Sequence, residues 1–109
     1  MATKQLTDNF LNTIVDTAEV AYSAPSDKDV VIDAFTVTNN SVVNASYKAY
    51  VKSSTGVLAP IIPFKIVVWG ENDNGVGIVN QVIPAGGSLQ VESSALTSLY
   101  FTASGRELS

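Results

Sequence analysis

From Ala45 to Val51 the chain alternates without a break: Ala45, Tyr47, Ala49 and Val51 are separated by Ser46, Lys48 and Tyr50, and Lys52 and Ser53 follow. A period of two gives an extended strand one dry and one wet face, and it cannot make the apolar stripe of a helix. The same bias runs through the whole chain. Val, Ile and Thr supply 31 of the 109 residues (15, 7 and 9), and their branched side chains favour strands. Leu, Ala, Glu and Lys nowhere recur at helical spacing over a useful length. The expected fold class is all-β.

Other segments fit the same reading. Val30–Asn39 is apolar on both faces at its start (Val30, Val31, Ile32) and then alternates, Phe35 and Val37 with Thr36 and Thr38. The pair Val30–Asn39 and Ala45–Ser53 reads as a hairpin turned at Asn39-Asn40-Ser41, residue types whose side chains bond the nearby backbone. Phe64–Trp69 reads as a strongly apolar strand. The Asn74-Gly75 step is a hairpin signal, with Gly77–Val82 as the returning strand. Ile83-Pro84-Ala85-Gly86-Gly87-Ser88 is a corner, because Pro84 lacks the amide that a central ladder needs and the glycines permit positive φ. Leu89–Glu92 and Leu99–Arg106 follow, with Leu99, Phe101 and Ala103 on one face. With Thr13–Ala18 and Ala21–Ser23, about seven or eight short strands are separated by turns. That is the pattern of a single antiparallel β-sandwich, jelly-roll or Ig-like.

Residue types restrict the chemistry. The sequence has no Cys and no His, so thiolate and imidazole catalysis, disulfides and the usual zinc or copper ligand sets are excluded. A net charge of −4 disfavours a nucleic acid partner. No apolar run approaches the ~20 residues that span a bilayer, and the first residues lack the apolar core of a secretory signal. We therefore expect no membrane and synthesis in a cytoplasm. Asp27, Asp29 and Asp33 are close in sequence, but nothing places them in a cleft that would split their pKa values, and they read as turn or solvated carboxylates. Glu71-Asn72-Asp73-Asn74-Gly75 is rich in oxygen ligands, yet the twelfth position from Glu71 is Val82 instead of the Glu that a calcium loop needs. The expectation is no enzyme, no cofactor and no metal.

Only 15% of the residues are charged while 46% are hydrophobic, against about 25% charged in ordinary soluble domains. Some surface is therefore expected to be covered by another chain. Candidate interface residues come from three places. Residues 1–12 are mostly polar with Leu6, Phe10 and Leu11 as isolated apolar anchors; they read as a frayed end, a short helix or an arm on a neighbouring subunit, with the sandwich at 13–109. Val57–Pro63 is an apolar connector that either closes an open end of the core or presents Ile61 and Ile62 to a partner. Tyr50 and Tyr100 fall on the polar phases of their strands, where either carbohydrate stacking or subunit packing would use them; Trp69 reads as core or rim.

Several phrases together resemble small β-sandwich structural proteins of tailed bacteriophage virions. They are Tyr22-Ser23-Ala24-Pro25-Ser26-Asp27-Lys28, Val30 to Ser41 with its Asn39-Asn40-Ser41 end, Ile83-Pro84-Ala85-Gly86-Gly87-Ser88-Leu89, and Thr102-Ala103-Ser104-Gly105-Arg106-Glu107-Leu108. The chain departs from that pattern at Ser93–Ser98, where relatives have a Gly-Asp turn, and in the longer connector carrying Pro60 and Pro63. The resemblance implies a virion protein: a capsid decoration (cement) protein that binds the outside of the major capsid lattice as a homotrimer. The alternatives are a small tail, neck or fibre component, or a host-receptor or carbohydrate-binding module.

Overall fold

The alternating segments build a two-layered molecule in the computed structural model, which describes residues 3–108. Its strands are β1 (Lys4–Phe10), β2 (Glu19–Ser23), β3 (Asp29–Asn39), β4 (Ala45–Lys52), β5 (Leu58–Val67), β6 (Asn72–Asp73), β7 (Val82–Ile83), β8 (Ser88–Ser93) and β9 (Leu99–Leu108). The first sheet has the order β1-β9-β3-β6, with β7 also on β3; the second has the order β2-β8-β4-β5, and all pairs are antiparallel. This is a single β-sandwich. The two short strands share the free edge of β3, β7 opposite Val30 and Val31 and β6 opposite Val37 and Thr38.

The inner faces are those the alternation specifies. Val37, Phe101 and Ala103 of the first sheet and Tyr47, Ala49, Leu89 and Val91 of the second are buried against one another. Three rings join the layers. Phe35 lies 6.3 Å from Tyr47 and 6.2 Å from Phe101, and Tyr47 meets Phe101 edge-on at 5.7 Å, within the range favoured by aromatic pairs.

Four expectations need correction. First, β3 and β4 are not a hairpin: β3 pairs with β9 in one sheet and β4 with β8 and β5 in the other. Residues 40–44 cross between the layers. Buried Asn39 organises the crossing, donating through Nδ2 to the carbonyls of Val43 and Val67, both at 2.9 Å, and accepting from the Ser41 hydroxyl and amide at 2.6 and 3.1 Å. Second, the apolar connector is part of β5, which turns back from β4 through residues 53–57. Its prolines are tolerated because β5 pairs only with β4 and forms the edge of its sheet.

Third, residues 70–82 do not form a hairpin. Gly75, Gly77 and Asn80 have φ of 61°, 106° and 74°, values that an extended strand of L-residues does not adopt. The chain instead runs as a loop along the free edge of β3, where the Asn80 amide donates to the Ile32 carbonyl at 2.7 Å and the Ile32 amide to the Gln81 carbonyl at 3.0 Å, and it inserts Ile78, which is fully buried. At Gly75 a Cβ would stand 2.4 Å from Phe35 Cδ2, so glycine is required for both conformation and space. Fourth, Thr13–Ala18 is a loop instead of a strand, gathered on Glu19 as described below.

The boundary at residue 12 also moves. Lys4–Phe10 is an edge strand of the first sheet, paired with β9 from Lys4↔Gly105 to Phe10↔Phe101. Leu6 belongs to the core, and Phe10 packs against it. Residues 1 and 2 of the expected arm lie outside the described residues.

Candidate interaction surfaces

Edge strand β5 carries two exposed large apolar side chains, Phe64 and Ile66. In the second sheet, Ile66 pairs with outward-facing Ser46, while Val67 pairs with inward-facing Ala45. Ile66 and, by the same parity, Phe64 therefore stand on the outer face, 55% and 59% exposed. Beyond the strand, Val68 and Trp69 are exposed, as are Val42 and Val43 of the crossover. These loops are fixed to one another. Asn39 bonds the carbonyls at Val43 and Val67 together, and the Asn44 side chain accepts a 3.0 Å hydrogen bond from the Trp69 amide. Next to them, Asn44, Ala45, Ser46, Phe64, Ile66 and Ser94 line a shallow cleft of about 230 Å³. The result is an apolar corner held on rigid elements.

The sequence candidates are dispersed. Leu6 and Ile62 are core residues, Ile61 and Phe10 pack against the core, and Leu11 is half-buried. Aspartate at 61 and 62 would therefore act first on stability. Tyr50 is half-buried on the outer face of the second sheet, where its hydroxyl donates to Glu92 at 2.8 Å; burial foremost, then this bond, push its pKa up to about 12. Tyr100 stands on the outer face of the first sheet, so the two tyrosines do not share a surface. Phe64 and Ile66 are not among the sequence candidates, and Trp69, read as core or rim, is exposed. A signal for them exists: Pro60 and Pro63 mark an edge strand, and an edge strand apolar on both faces must show one of them.

On the first sheet, Tyr100 lies opposite Thr38. With Asn9 and Asn40 they line a cavity of about 280 Å³.

Three of the carboxylates that could have suggested chemistry, Asp29, Asp33 and Asp73, have structural partners. Asp33 sits at a register shift in β3 and receives a two-pronged grip from Arg106 at 2.8 and 3.0 Å, which holds its pKa below the usual range. Asp29 accepts the Ala85 amide. Asp73 accepts from the buried Tyr47 hydroxyl and from the Gly75 amide, with Lys65 3.9 Å away. Burial and this bond raise the Tyr47 pKa far above its ordinary value. Among the described residues no group of three or more acidic side chains is placed to hold a metal, and no helix is long and apolar enough to cross a membrane.

Glu19 is the most perturbed acid. Its carboxylate accepts from the Thr13 hydroxyl, the Asn12 amide group and the backbone amides of Thr13 and Ile14. Led by the Thr13 hydroxyl, these donors lower its pKa from an ordinary 4.5 to about 2. A carboxyl whose folded pKa is depressed adds stability that is fully present above its unfolded pKa and is lost as pH falls from there through the folded value. Glu19→Gln is expected to cost about 1 kcal/mol at pH 7, kept small by the exposure of the site. It should also flatten the fall in melting temperature between pH 4.5 and pH 2. Melting curves across that range check both effects; a mutant with an unchanged pH profile contradicts the assignment.

Comparison adds no relative. No protein-family model, curated protein or solved structure matches the chain. The functional reading therefore rests on the surfaces themselves and on the resemblance of the sequence phrases.

Proposed function

We propose that this chain is a non-enzymatic structural subunit of a phage virion, a capsid decoration protein that binds the outside of the major capsid lattice as a homotrimer. The observation that carries the reading is the apolar corner of Phe64, Ile66, Val68 and Trp69. The backbone that presents it is tied down by the hydrogen bonds of Asn39 and Asn44, so docking has little main-chain freedom to order, and ordering is a main cost of association. Repetition of such a contact in a trimer multiplies a modest affinity through effective concentration. The low charge of the chain fits the same reading, since charged residues are depleted at interface centres. The resemblance supplies the virion context.

The double substitution Phe64→Asp with Ile66→Asp is expected to leave the fold intact at a cost of about 1–2 kcal/mol, because more than half of each side chain is already exposed and the main loss is the poor strand preference of Asp. It should weaken capsid binding by about 100-fold or more, the loss expected when two large apolar side chains no longer bury. Co-sedimentation with decorated and undecorated capsids, beside urea titrations, measures the two quantities. Undiminished capsid occupancy by the mutant overturns the assignment of this corner. A small tail, neck or fibre component is the second reading, since it would use the same surface; a virion reconstruction with the subunit confined to the tail replaces the first reading by that one.

A further inference from the structure

We infer that the outer face of the first sheet carries a binding site for a neutral saccharide, built by Asn9, Thr38, Asn40 and Tyr100. This goes beyond the assembly role and does not rest on it, because the apolar corner lies on the other sheet and uses none of these residues. The four side chains come from β1, β3, the crossover and β9, and they line one cavity of about 280 Å³. It is an open hollow on the sheet surface, with Asn9, Thr38 and Asn40 exposed and Tyr100 half-buried, and it suits a small ligand such as a single sugar ring held at the surface.

The chemistry of the lining selects the class. Tyr100 brings to the lining an aromatic ring, on which the C–H side of a pyranose can pack, and a hydroxyl at its tip. Two carboxamides and a threonine hydroxyl supply both donors and acceptors, as neighbouring sugar hydroxyls require. No charged side chain lines the cavity, which disfavours an ionic ligand. The amide groups of Asn9 and Asn40 and the Tyr100 hydroxyl enter none of the side-chain hydrogen bonds found among the described residues, where Asn9 is joined only through its backbone amide, to Thr102 Oγ1 at 3.2 Å. They are available to a ligand. The other two aromatic candidates differ here: the Tyr50 hydroxyl is engaged by Glu92, with Lys48 3.8 Å from the same carboxylate, and Trp69 stands at the apolar corner.

Backbone geometry gives an independent reason. Asn9 has φ of 52° and lies where the β1–β9 register slips between Thr7 and Phe10. Bulges of this kind re-aim a side chain and recur beside binding sites. A non-glycine residue in the left-handed region is uncommon and is strained relative to glycine. Glycine would meet the backbone demand at no strain, whereas asparagine meets it and adds an amide at the cavity. Asn40 is positioned from the other side by its own amide, which donates to the Ser98 carbonyl at 2.9 Å.

The test is an amide chemical-shift titration of the full chain with a panel of neutral mono- and disaccharides, followed by a glycan array. The expected result is saturable shifts centred on Asn9, Thr38, Asn40 and Tyr100, with affinity falling at least about tenfold in Tyr100→Ala. Tyr100→Phe should keep most of the affinity because it keeps the ring. Asn9→Gly retains the left-handed backbone and should lose affinity several-fold without a lower melting temperature, so the inference stays testable if Tyr100→Ala misfolds. The inference is overturned by any of four results: no saturable shift with any neutral sugar, binding confined to acidic glycans, binding unchanged in Tyr100→Ala, or shifts at these residues that follow protein concentration without sugar. The last would mark the face as a contact between copies. None of these outcomes bears on capsid binding through β5.

Discussion

Asn39→Ala is expected to lower stability by about 3 kcal/mol, an unusually large effect for removing part of one polar side chain. Asn39 is 1% exposed and uses every polar atom it has. Its Nδ2 holds the Val43 and Val67 carbonyls, its Oδ1 takes both donors of Ser41, its own amide donates to Glu71 O, and its carbonyl accepts the Gly70 amide. Truncation leaves the buried Val67 carbonyl without its side-chain donor. Leaving a buried polar group unsatisfied costs about 1–3 kcal/mol. Val43 is less affected, since the Ser41 hydroxyl also reaches its carbonyl. Asn39→Asp should be at least as damaging, because it turns a donor pair into acceptors facing two carbonyls. Urea unfolding, with the midpoint shifted and the slope unchanged, measures the loss; a change below about 1 kcal/mol contradicts the role assigned to this residue. The same variant should weaken partner binding further, because Asn39 fixes the two loops that carry Val43 and Trp69.

Asn39 also marks the limit of what the sequence made legible. Alternation correctly identified β4 and the inner face of β9, and the Pro84-Ala85-Gly86-Gly87 corner is a turn, with Gly86 at φ 76° and the Gly87 amide on the Pro84 carbonyl. A period of two assigns each strand a wet and a dry face. It does not say which sheet the strand joins. That choice between β3 and β4 depends on Asn39 reaching Val67, 28 positions away, and local turn chemistry favoured the hairpin reading instead. The β5 prolines were informative in the same partial way: they fell in a segment read as a connector and are the mark of an edge strand. At the candidate surfaces, the outward phases of Tyr50 and Tyr100 were legible because each lies in a regular ladder. Leu6 was not. A single apolar residue between Gln5 and Thr7 looks the same in sequence whether its own core or another subunit covers it. The left-handed turn of Asn9, which brings it to Tyr100, has no local signature beyond the residue type.

Phe101→Ala is expected to cost about 4 kcal/mol, within the range measured when a buried phenylalanine is cut to alanine. The ring is fully buried, and its neighbours come from both layers: Phe35 from β3 in its own sheet and Tyr47 from β4 across the gap. The size of the loss depends on how far these neighbours can close the space. Both are held. The Tyr47 hydroxyl is tied to Asp73, which also holds the Gly75 amide, and Phe35 is packed so closely against Gly75 that no Cβ fits there. Little collapse is therefore possible, and the transfer and cavity costs should both appear. Phe101→Leu fills most of the volume and should lose about 1–1.5 kcal/mol. For a domain of this size the alanine variant's melting temperature should fall by roughly 16–32 °C, at about 4–8 °C per kcal/mol. An alanine variant that loses less than about 2 kcal/mol would mean that the two sheets slide together over the gap, and that the three rings fill the interlayer space without fixing its width.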